Sequence, residues 1–209
     1  MSGITQGPFR ASQSWESSPR LLFRNQSLRL MSSIGNGRKG RAVVLFATRF
    51  GTTEVVARAF ERGLKEAGMD TFCARTRDIT PSSLHDFDLI CLGGPTEVFT
   101  ATKELKEFLN SMGGIDMDGK FGFAFDTKLD SRMSGSAAKY IEHALDDKGL
   151  HMIADRQSAI VTSQKDGGKI VGADLREGEE KRFEELGVRI GKATEEALSR
   201  IQGNAWRQR

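Results

Sequence analysis

The sequence predicts an α/β fold with a doubly wound, five-stranded parallel sheet. Short apolar runs, rich in branched and aromatic residues as buried parallel strands are, alternate along the chain with longer stretches of helical spacing. The three stretches richest in glycine and threonine begin at Thr48, Gly94 and Asp126, each directly after an apolar run. Right-handed crossovers leave few topologies, and 2-1-3-4-5 is the common order for five strands. In that order ligands bind beyond the carboxyl ends of the strands, where these three stretches meet.

The predicted strands are short runs, apolar except for the mixed second one, that are bounded by residues that favour turns. In chain order the runs are 42–47, 69–75, 89–93, 121–125 and a fifth in two pieces, 150–154 and 159–161. In the fourth run Phe121, Phe123 and Phe125 occupy odd positions only, which places their rings on one face and indicates a core role. Residues 166–174 are expected to form a loop.

The predicted helices follow from apolar residues at helical spacing and from the glycines that end them. In chain order they run from after Thr53 to Gly68, from Thr102 to Gly113, from 136 to 148 and from 177 to about 201, with a short helix in 78–86.

The chain divides into a tail at 1–40, a domain at 41–202 and an end at 203–209 that we expect to fray. Residues 1–41 carry seven basic residues and one acidic residue, whereas the remainder carries 24 basic and 27 acidic residues. Three interpretations of the tail stay open: a disordered segment, a transit peptide, or an over-extended start with initiation at Met31. The glycines of Gly35-Asn-Gly-Arg-Lys-Gly40 precede the first strand, so they do not predict a dinucleotide site.

Composition excludes several classes of function. The sequence shows no basic stripe with interleaved aromatic residues, which argues against nucleic-acid binding, and no apolar run long enough to span a membrane. Cys73 and Cys91 lie in strands that are not predicted neighbours, so a disulfide is not expected. Their scarcity favours a reducing, cytoplasmic location, with organelle import if the tail is a transit peptide. The three histidines have no metal-site spacing, and the oligomeric state stays open.

Residues 48–53 have the features of a phosphate cup. A strand–turn–helix leaves backbone N–H groups unpaired at the helix start, where the helix dipole is positive. Gly51 allows close approach of the backbone, Arg49 adds a positive charge, and three threonines supply hydroxyl groups. A dianionic phosphate fits such a cup, although every doubly wound fold has a first turn of this kind.

These motifs resemble those of the flavodoxin family. Thr48-Arg-Phe-Gly-Thr-Thr53 is similar to the (Ser/Thr)-x-Thr-Gly-x-Thr loop with which flavodoxins hold the phosphate of FMN, with Phe50 where that family usually has threonine. Gly93-Gly-Pro-Thr96 resembles the start of the second flavin loop, and Phe123-Ala-Phe-Asp-Thr-Lys128 resembles the third-loop region of a flavodoxin-like branch. The first loop is also similar to that of flavodoxin-type protoporphyrinogen oxidases.

The resemblance implies that FMN is bound by three loops. The first, 48–53, would take the phosphate, while 95–100 and 126 to about 130 would grip the isoalloxazine ring. The residues expected to bind the cofactor are Thr48, Arg49, Phe50, Gly51, Thr52, Thr53, Pro95, Thr96, Glu97, Val98, Phe99, Thr100, Asp126, Thr127 and Lys128.

Two features of these loops bear on how the flavin would behave. Glu97, Asp126 and Asp130 are expected at the mouth, where negative charge would disfavour an anionic reduced ring and lower its potential. Flavodoxins usually stack Trp and Tyr on the ring, whereas these loops offer only Phe99, with Phe50 as either a second wall or a core residue.

The function expected from the sequence is FMN-dependent electron transfer to redox partner proteins, with the chemistry in the cofactor and no catalytic protein residue. Two alternatives stay open. One is a flavin-dependent oxidoreductase of the protoporphyrinogen-oxidase type, which should carry an added substrate segment near the last strands; the loop expected at 166–174 is short for that role. The other is a flavin-free interaction module that kept the fold, which the scarcity of ring-stacking residues would favour.

Overall fold

The computed structural model describes residues 38–97, 99–131 and 134–207, and all statements of structure refer to these. The strands are β1 (Arg41–Phe46), β2 (Asp70–Arg75), β3 (Leu89–Glu97), β4 (Thr100–Ala101), β5 (Phe121–Leu129), β6 (His151–Met152), β7 (Gln157–Asp166) and β8 (Lys169–Leu175). The α-helices are α1 (Thr52–Glu66), α2 (Lys103–Ser111), α3 (Ala137–Asp146) and α4 (Glu179–Arg207), with 3-10 turns at Thr76–Asp78 and Pro81–Asp86.

The main path of the sheet runs β2-β1-β3-β5-β7-β8, with β4 paired to β3 and β6 paired to β5. The pairs from β2 through β7 are parallel, and β7 pairs with β8 antiparallel. The predicted α/β class with a largely parallel sheet is therefore confirmed. The parallel part of this path contains five strands, to which the antiparallel β8 and the two-residue strands β4 and β6 are added. The expectation of a loop at 166–174 is wrong, because these residues extend the sheet. Gly167 and Gly168 both have positive φ and form a tight turn between β7 and β8.

Two strands run further than their apolar runs. β3 continues to Glu97 and β5 to Leu129 because the ladder continues through the pairs Gly94↔Asp126 and Pro95↔Thr127. Much of the predicted second and third loops is therefore strand. This regular backbone places Pro95 to Glu97 and Thr127 to Leu129 on adjacent strands at the carboxyl edge of the sheet.

The main core lies between the sheet and the helices α1 and α4. Phe123 of β5 stacks on Phe60 of α1, with ring centroids 5.1 Å apart, and Phe125 lies 6.0 Å from Phe183 of α4. Phe121, Phe123 and Phe125 are all buried in this cluster, as their alternation predicted. The opposite face of the sheet packs against α3, which contacts β3 and β5.

The structure changes both predicted domain boundaries slightly. The backbone of α4 is helical to Arg207, which is beyond the predicted domain end at 202, so residues 203–207 continue the helix. Gly40 already belongs to the fold, since its N–H donates to Glu195 Oε1 at 2.8 Å. The interpretations of residues 1–37 lie outside the described residues. None of the described helices is both long and apolar enough to cross a membrane.

Candidate functional site

A cleft of about 370 Å³ opens at the carboxyl edge of the sheet. Three stretches that the sequence singled out supply one side of it: Arg49, Phe50 and Thr52 after β1, Pro95 to Glu97 at the end of β3, and Thr127 to Leu129 at the end of β5. Phe99 also lines the cleft, at the start of the β3–β4 return. The cleft therefore lies where the strand pattern predicted a ligand site.

The first turn of α1 leaves its amide groups available at the cleft. Gly51 is the N-cap, with φ of 87°, and no described side chain caps the helix. Thr48 instead tightens the turn, because its Oγ1 accepts from the Gly51 N–H at 3.0 Å. Thr52 lines the cleft. An uncapped helix start presents unpaired N–H groups and the positive end of the helix dipole, which together favour an anion.

Thr53, unlike Thr52, does not line the cleft. It is fully buried, and its Oγ1 lies 2.9 Å from Oγ1 of Thr127, so the two hydroxyls join α1 to β5 beneath the cleft. Its side chain therefore holds the base of the cup together and is outside the cleft lining.

Asp126 is also buried, contrary to its expected position at the mouth. Its Oδ2 accepts three hydrogen bonds, from Thr96 Oγ1 at 3.0 Å, Ser136 Oγ at 2.8 Å and Ala138 N at 2.9 Å. Thr96 Oγ1 in turn accepts from Ala137 N. This carboxylate thus ties β3 and β5 to the start of α3, where a negative charge suits the helix dipole. Its Oδ1 has no hydrogen-bond partner among the described residues.

The other two acidic residues expected at the mouth are each paired with an arginine. Glu97 lines the cleft, and its Oε1 lies 3.4 Å from Arg49 Nη1. Asp130 is largely exposed, and its Oδ2 lies 3.1 Å from Arg176 Nη1. The three carboxylates therefore do not form one acidic group, and only Glu97 lines the cleft.

The two phenylalanines of the cleft are partly exposed. Phe50 lines the cleft at 36% exposure, which decides against the core role that the sequence left open for it. Phe99 is 64% exposed and has a positive φ of 70°, a rare conformation for a residue with a side chain. Its backbone pairs with that of Gly135. Thr100 of β4 pairs with Glu97 of β3 and does not line the cleft. Val98 lies outside the described residues.

The far wall of the cleft was missed by the sequence analysis. It is formed by the β7–β8 ribbon, residues 162–174, which extends past the end of β5 and contributes Ser163, Ile170 and Ala173. Val161 lines the cleft where the pairing of β5 with β7 ends. β5 pairs with β7 only as far as Leu129↔Val161, so the ribbon projects beyond the parallel sheet. The signal was present: Gly-Gly between two short runs is typical of a β-hairpin.

Cysteine and histidine chemistry has no support at this site. Cys73 and Cys91 are both buried free thiols, and burial raises both pKa values, that of Cys73 to about 12. Among the described residues, no cluster of His, Cys, Asp or Glu is arranged to hold a metal ion.

A comparison with known protein families assigns the chain. The model of the family Flavodoxin matches residues 44–186, which include the end of β1, the start of α1 and the other strands that border the cleft. The chain belongs to the flavodoxin family.

Individual relatives agree with this assignment. A flavodoxin of Clostridium saccharobutylicum is 28% identical over 85 residues, covering 40% of this chain and 53% of its own length. The chain thus spans about half the length of the curated relatives it matches.

Solved structures show the same fold. Oxidised flavodoxin 1 of Bacillus cereus superposes with a TM-score of 0.61 at 19% identity, over 73% of this chain and 98% of that one. The flavodiiron protein of Giardia intestinalis gives a TM-score of 0.60 at 21% identity, over 77% of this chain and 37% of that one.

Family membership implies a flavin cofactor, and the cleft fits one. Its volume is within the ordinary range for small-molecule sites, about 300–1,000 Å³. One end offers the uncapped start of α1 and the cation of Arg49, which suits a phosphate. The rest of the lining is mainly apolar, with Pro95, Phe99 and Val161 among its members, which suits a planar ring.

Proposed function

We propose that this chain binds FMN in the cleft and acts as an electron carrier between redox partner proteins. The observation that carries the proposal is the position of the uncapped α1 start at one end of an otherwise largely apolar cleft. A phosphorylated flavin has the matching pair of features, an anionic end and a flat apolar end. Flavodoxins are electron carriers that act with redox partners, and this family membership supports the same role here.

The residues divide by the part of the cofactor they would hold. Gly51 and Thr52, with the first backbone N–H groups of α1, would hold the phosphate, and Arg49 would add its positive charge. Pro95 to Glu97 and Thr127 to Leu129 would form one side of the ring site, with Phe50 and Phe99 as its aromatic walls. When bound, FMN supplies one- and two-electron redox chemistry, which the surrounding charges and hydrogen bonds tune.

The chain's own residues have three tasks in this function. The strand ends and the Asp126 hydrogen bonds fix the walls before the ligand arrives, so little ordering is needed on binding. Ile170 and Ala173 of the ribbon cover one side of the cleft with apolar surface. Glu97 provides a negative charge at the cleft beside the Arg49 cation, and Lys128 adds a second positive charge to the lining.

Electron transfer tests this function directly. The protein is loaded with FMN, freed of unbound flavin, reduced with dithionite, freed of the remaining dithionite under anaerobic conditions and mixed with oxidised cytochrome c in a stopped-flow instrument. We expect cytochrome c to be reduced in proportion to the bound flavin, while protein freed of FMN gives no reduction. The last ultrafiltrate of the loaded protein is the control for released flavin. Bound flavin that passes no electrons to a protein acceptor would count against a carrier.

The ribbon favours one further candidate, a flavin-dependent oxidoreductase of a small planar substrate. Residues 166–174 were expected to be too short a loop to help bind a substrate, whereas the ribbon gives the cleft an apolar wall beyond the flavin loops. A relative from Rhizobium meliloti, 26% identical over 109 residues, is named NAD(P)H dehydrogenase (quinone) 3. Steady-state oxidation of NADPH with a soluble quinone distinguishes the candidates: sustained turnover supports the enzyme, and none supports the carrier.

A further inference from the structure

The ion pair between Arg49 and Glu97 joins two of the segments that line one side of the cleft. Arg49 follows β1 and Glu97 is the last residue of β3, and the pair is formed between Nη1 and Oε1 at 3.4 Å. The guanidinium also lies over the ring of Phe50, with its central carbon 4.9 Å from the ring centroid. All three side chains line the cleft, so the pair lies within the proposed ligand site and not on a remote surface.

This ion pair is poorly suited to stabilise the fold. The Arg49 side chain is 59% exposed and that of Glu97 36%, and exposed pairs of this kind contribute little because water solvates both partners. The distance of 3.4 Å is also long for a charge-assisted hydrogen bond. A dianionic phosphate at the start of α1 would be a stronger partner for Arg49 than this single carboxylate, because it carries more charge and three acceptor oxygens.

The proposal rests on the proposed function and concerns which flavin is chosen. We infer that Arg49 selects a flavin that carries a phosphate monoester, and that Glu97 is a built-in competing anion which the phosphate displaces from Arg49. The Phe50 ring keeps the guanidinium near the cup while its partner changes. This competition weakens the binding of phosphate-bearing ligands and does not act on ligands without phosphate.

Comparison of FMN with riboflavin tests this inference, since the two differ only in the phosphate. Dissociation constants are measured by flavin fluorescence for the wild type, Arg49→Gln, Arg49→Lys and Glu97→Gln. We expect Arg49→Gln to weaken FMN binding about tenfold. The FMN affinity of Arg49→Lys should lie between those of the wild type and Arg49→Gln. Glu97→Gln should tighten FMN binding by about two- to fivefold, the range for loss of one exposed pair. Because FMN and riboflavin share the ring contacts, the deciding quantity is the ratio of the FMN affinity to the riboflavin affinity. This ratio should fall in Arg49→Gln and rise in Glu97→Gln by these factors.

A double variant and a matched control sharpen the result. In the Arg49→Gln background, Glu97→Gln should bring no further gain, because the competition needs the arginine. Glu184→Gln removes a similar exposed pair with Arg62 on α1 and α4, away from the cleft, and should change neither affinity. Equal losses of FMN and riboflavin in Arg49→Gln would overturn the inference, since they would show that Arg49 only shapes the cleft.

A second measurement keeps the inference testable if no flavin binds. Inorganic phosphate is titrated into the labelled wild type and Glu97→Gln, and the amide signals of Gly51 and Thr52 are followed by NMR. Tighter phosphate binding in Glu97→Gln than in the wild type supports the competition, even if FMN and riboflavin both fail to bind. Failure of both flavins to bind would overturn only the proposed function. Equal phosphate binding in both proteins would overturn the inference while leaving FMN binding intact.

Discussion

Asp126 shows how a single buried side chain can organise the walls of the cleft. One of its oxygens accepts three hydrogen bonds, from a residue of β3, from the residue before α3 and from the first turn of α3. All three donors are directed at this one oxygen, so removal of the carboxylate takes away the acceptor they share. The residue therefore acts on ligand binding through the geometry of Thr96 and α3, although it is not part of the cleft lining.

Replacement of Asp126 by Ala should be costly. Asp126→Ala leaves buried donors without an acceptor, so we expect the free energy of unfolding to fall by about 3 kcal/mol. Asp126→Asn keeps one carbonyl oxygen for these donors and should lose about 1 kcal/mol. Chemical denaturation measures both. Asp130→Ala is the control, because that carboxylate is exposed and should cost no more than about 0.5 kcal/mol; equal losses for the two alanine variants would contradict the account.

The two cysteines should be unreactive in the folded protein. Burial raises the pKa of Cys73 from 9.0 to about 12, which lowers its thiolate fraction at neutral pH about a thousandfold. Alkylation should therefore be slow and should accelerate when denaturant exposes the thiols, as followed by mass spectrometry. Because the folded state holds these protons more tightly, the thiols should also lower stability as the pH rises above 9.0. Rapid labelling of Cys91 in native buffer would contradict its burial.

Among the structural elements, the β3–β4 turn depends on a glycine in a different part of the chain. The backbones of Phe99 and Gly135 pair, and a Cβ on Gly135 would lie 2.3 Å from the carbonyl oxygen of Phe99. Both residues have positive φ, so this crossing point of two chain segments has little freedom to adjust. It sets where the Phe99 ring stands at the cleft.

Alanine at Gly135 should disturb this crossing more than backbone strain alone would. Gly149 provides a matched control, because its φ is also positive and no described atom lies within 4 Å of a Cβ built there. Gly149→Ala should cost about 1 kcal/mol from the left-handed conformation. Gly135→Ala should cost at least about 1 kcal/mol more and should weaken FMN binding as well. Thermal denaturation and flavin titration of both variants check this; similar behaviour of the two would show that the contact with Phe99 is unimportant.

The elements that sequence predicted and those it missed differ in what fixes them. Apolar runs such as 42–47 are determined locally, so β1, α1 and the phenylalanine face of β5 were predicted well. The continuation of β3 and β5 depends on pairing between distant residues such as Pro95 and Thr127, which no local pattern encodes. The burial of Thr53 and Asp126 has the same origin, because both are polar residues satisfied by distant partners. Among the features that the sequence analysis missed, only the ribbon had a local signal, the Gly167-Gly168 pair.

At the scale of the whole molecule, the close contact of α1 and α4 fixes the helix whose start borders the cleft. A Cβ on Gly63 of α1 would lie 2.0 Å from the backbone oxygen of Glu184, so the two helices touch through their backbones. Gly187 of α4 makes the reciprocal approach to Phe60. The start of α1, which borders the cleft, is therefore part of the same rigid packing as the core.

Gly63→Ala should separate these helices and destabilise the whole fold. We expect a loss of about 3 kcal/mol, typical of overpacking against backbone that has no room to move. Val55→Ala, at an exposed position of the same helix, should change stability by no more than about 0.5 kcal/mol. Urea denaturation of the two variants makes the comparison. A wild-type midpoint for Gly63→Ala would show that the helices are not in tight contact.

The central claim is that the cleft holds FMN, and the visible spectrum tests it most directly. The purified protein is mixed with FMN, desalted and scanned, and the flavin released by acid is then identified and counted against protein. We predict retained flavin bands near about 375 and 450 nm, with one FMN for each chain. A colourless protein after desalting, with no gain in thermal midpoint when FMN is added in excess, would contradict the claim.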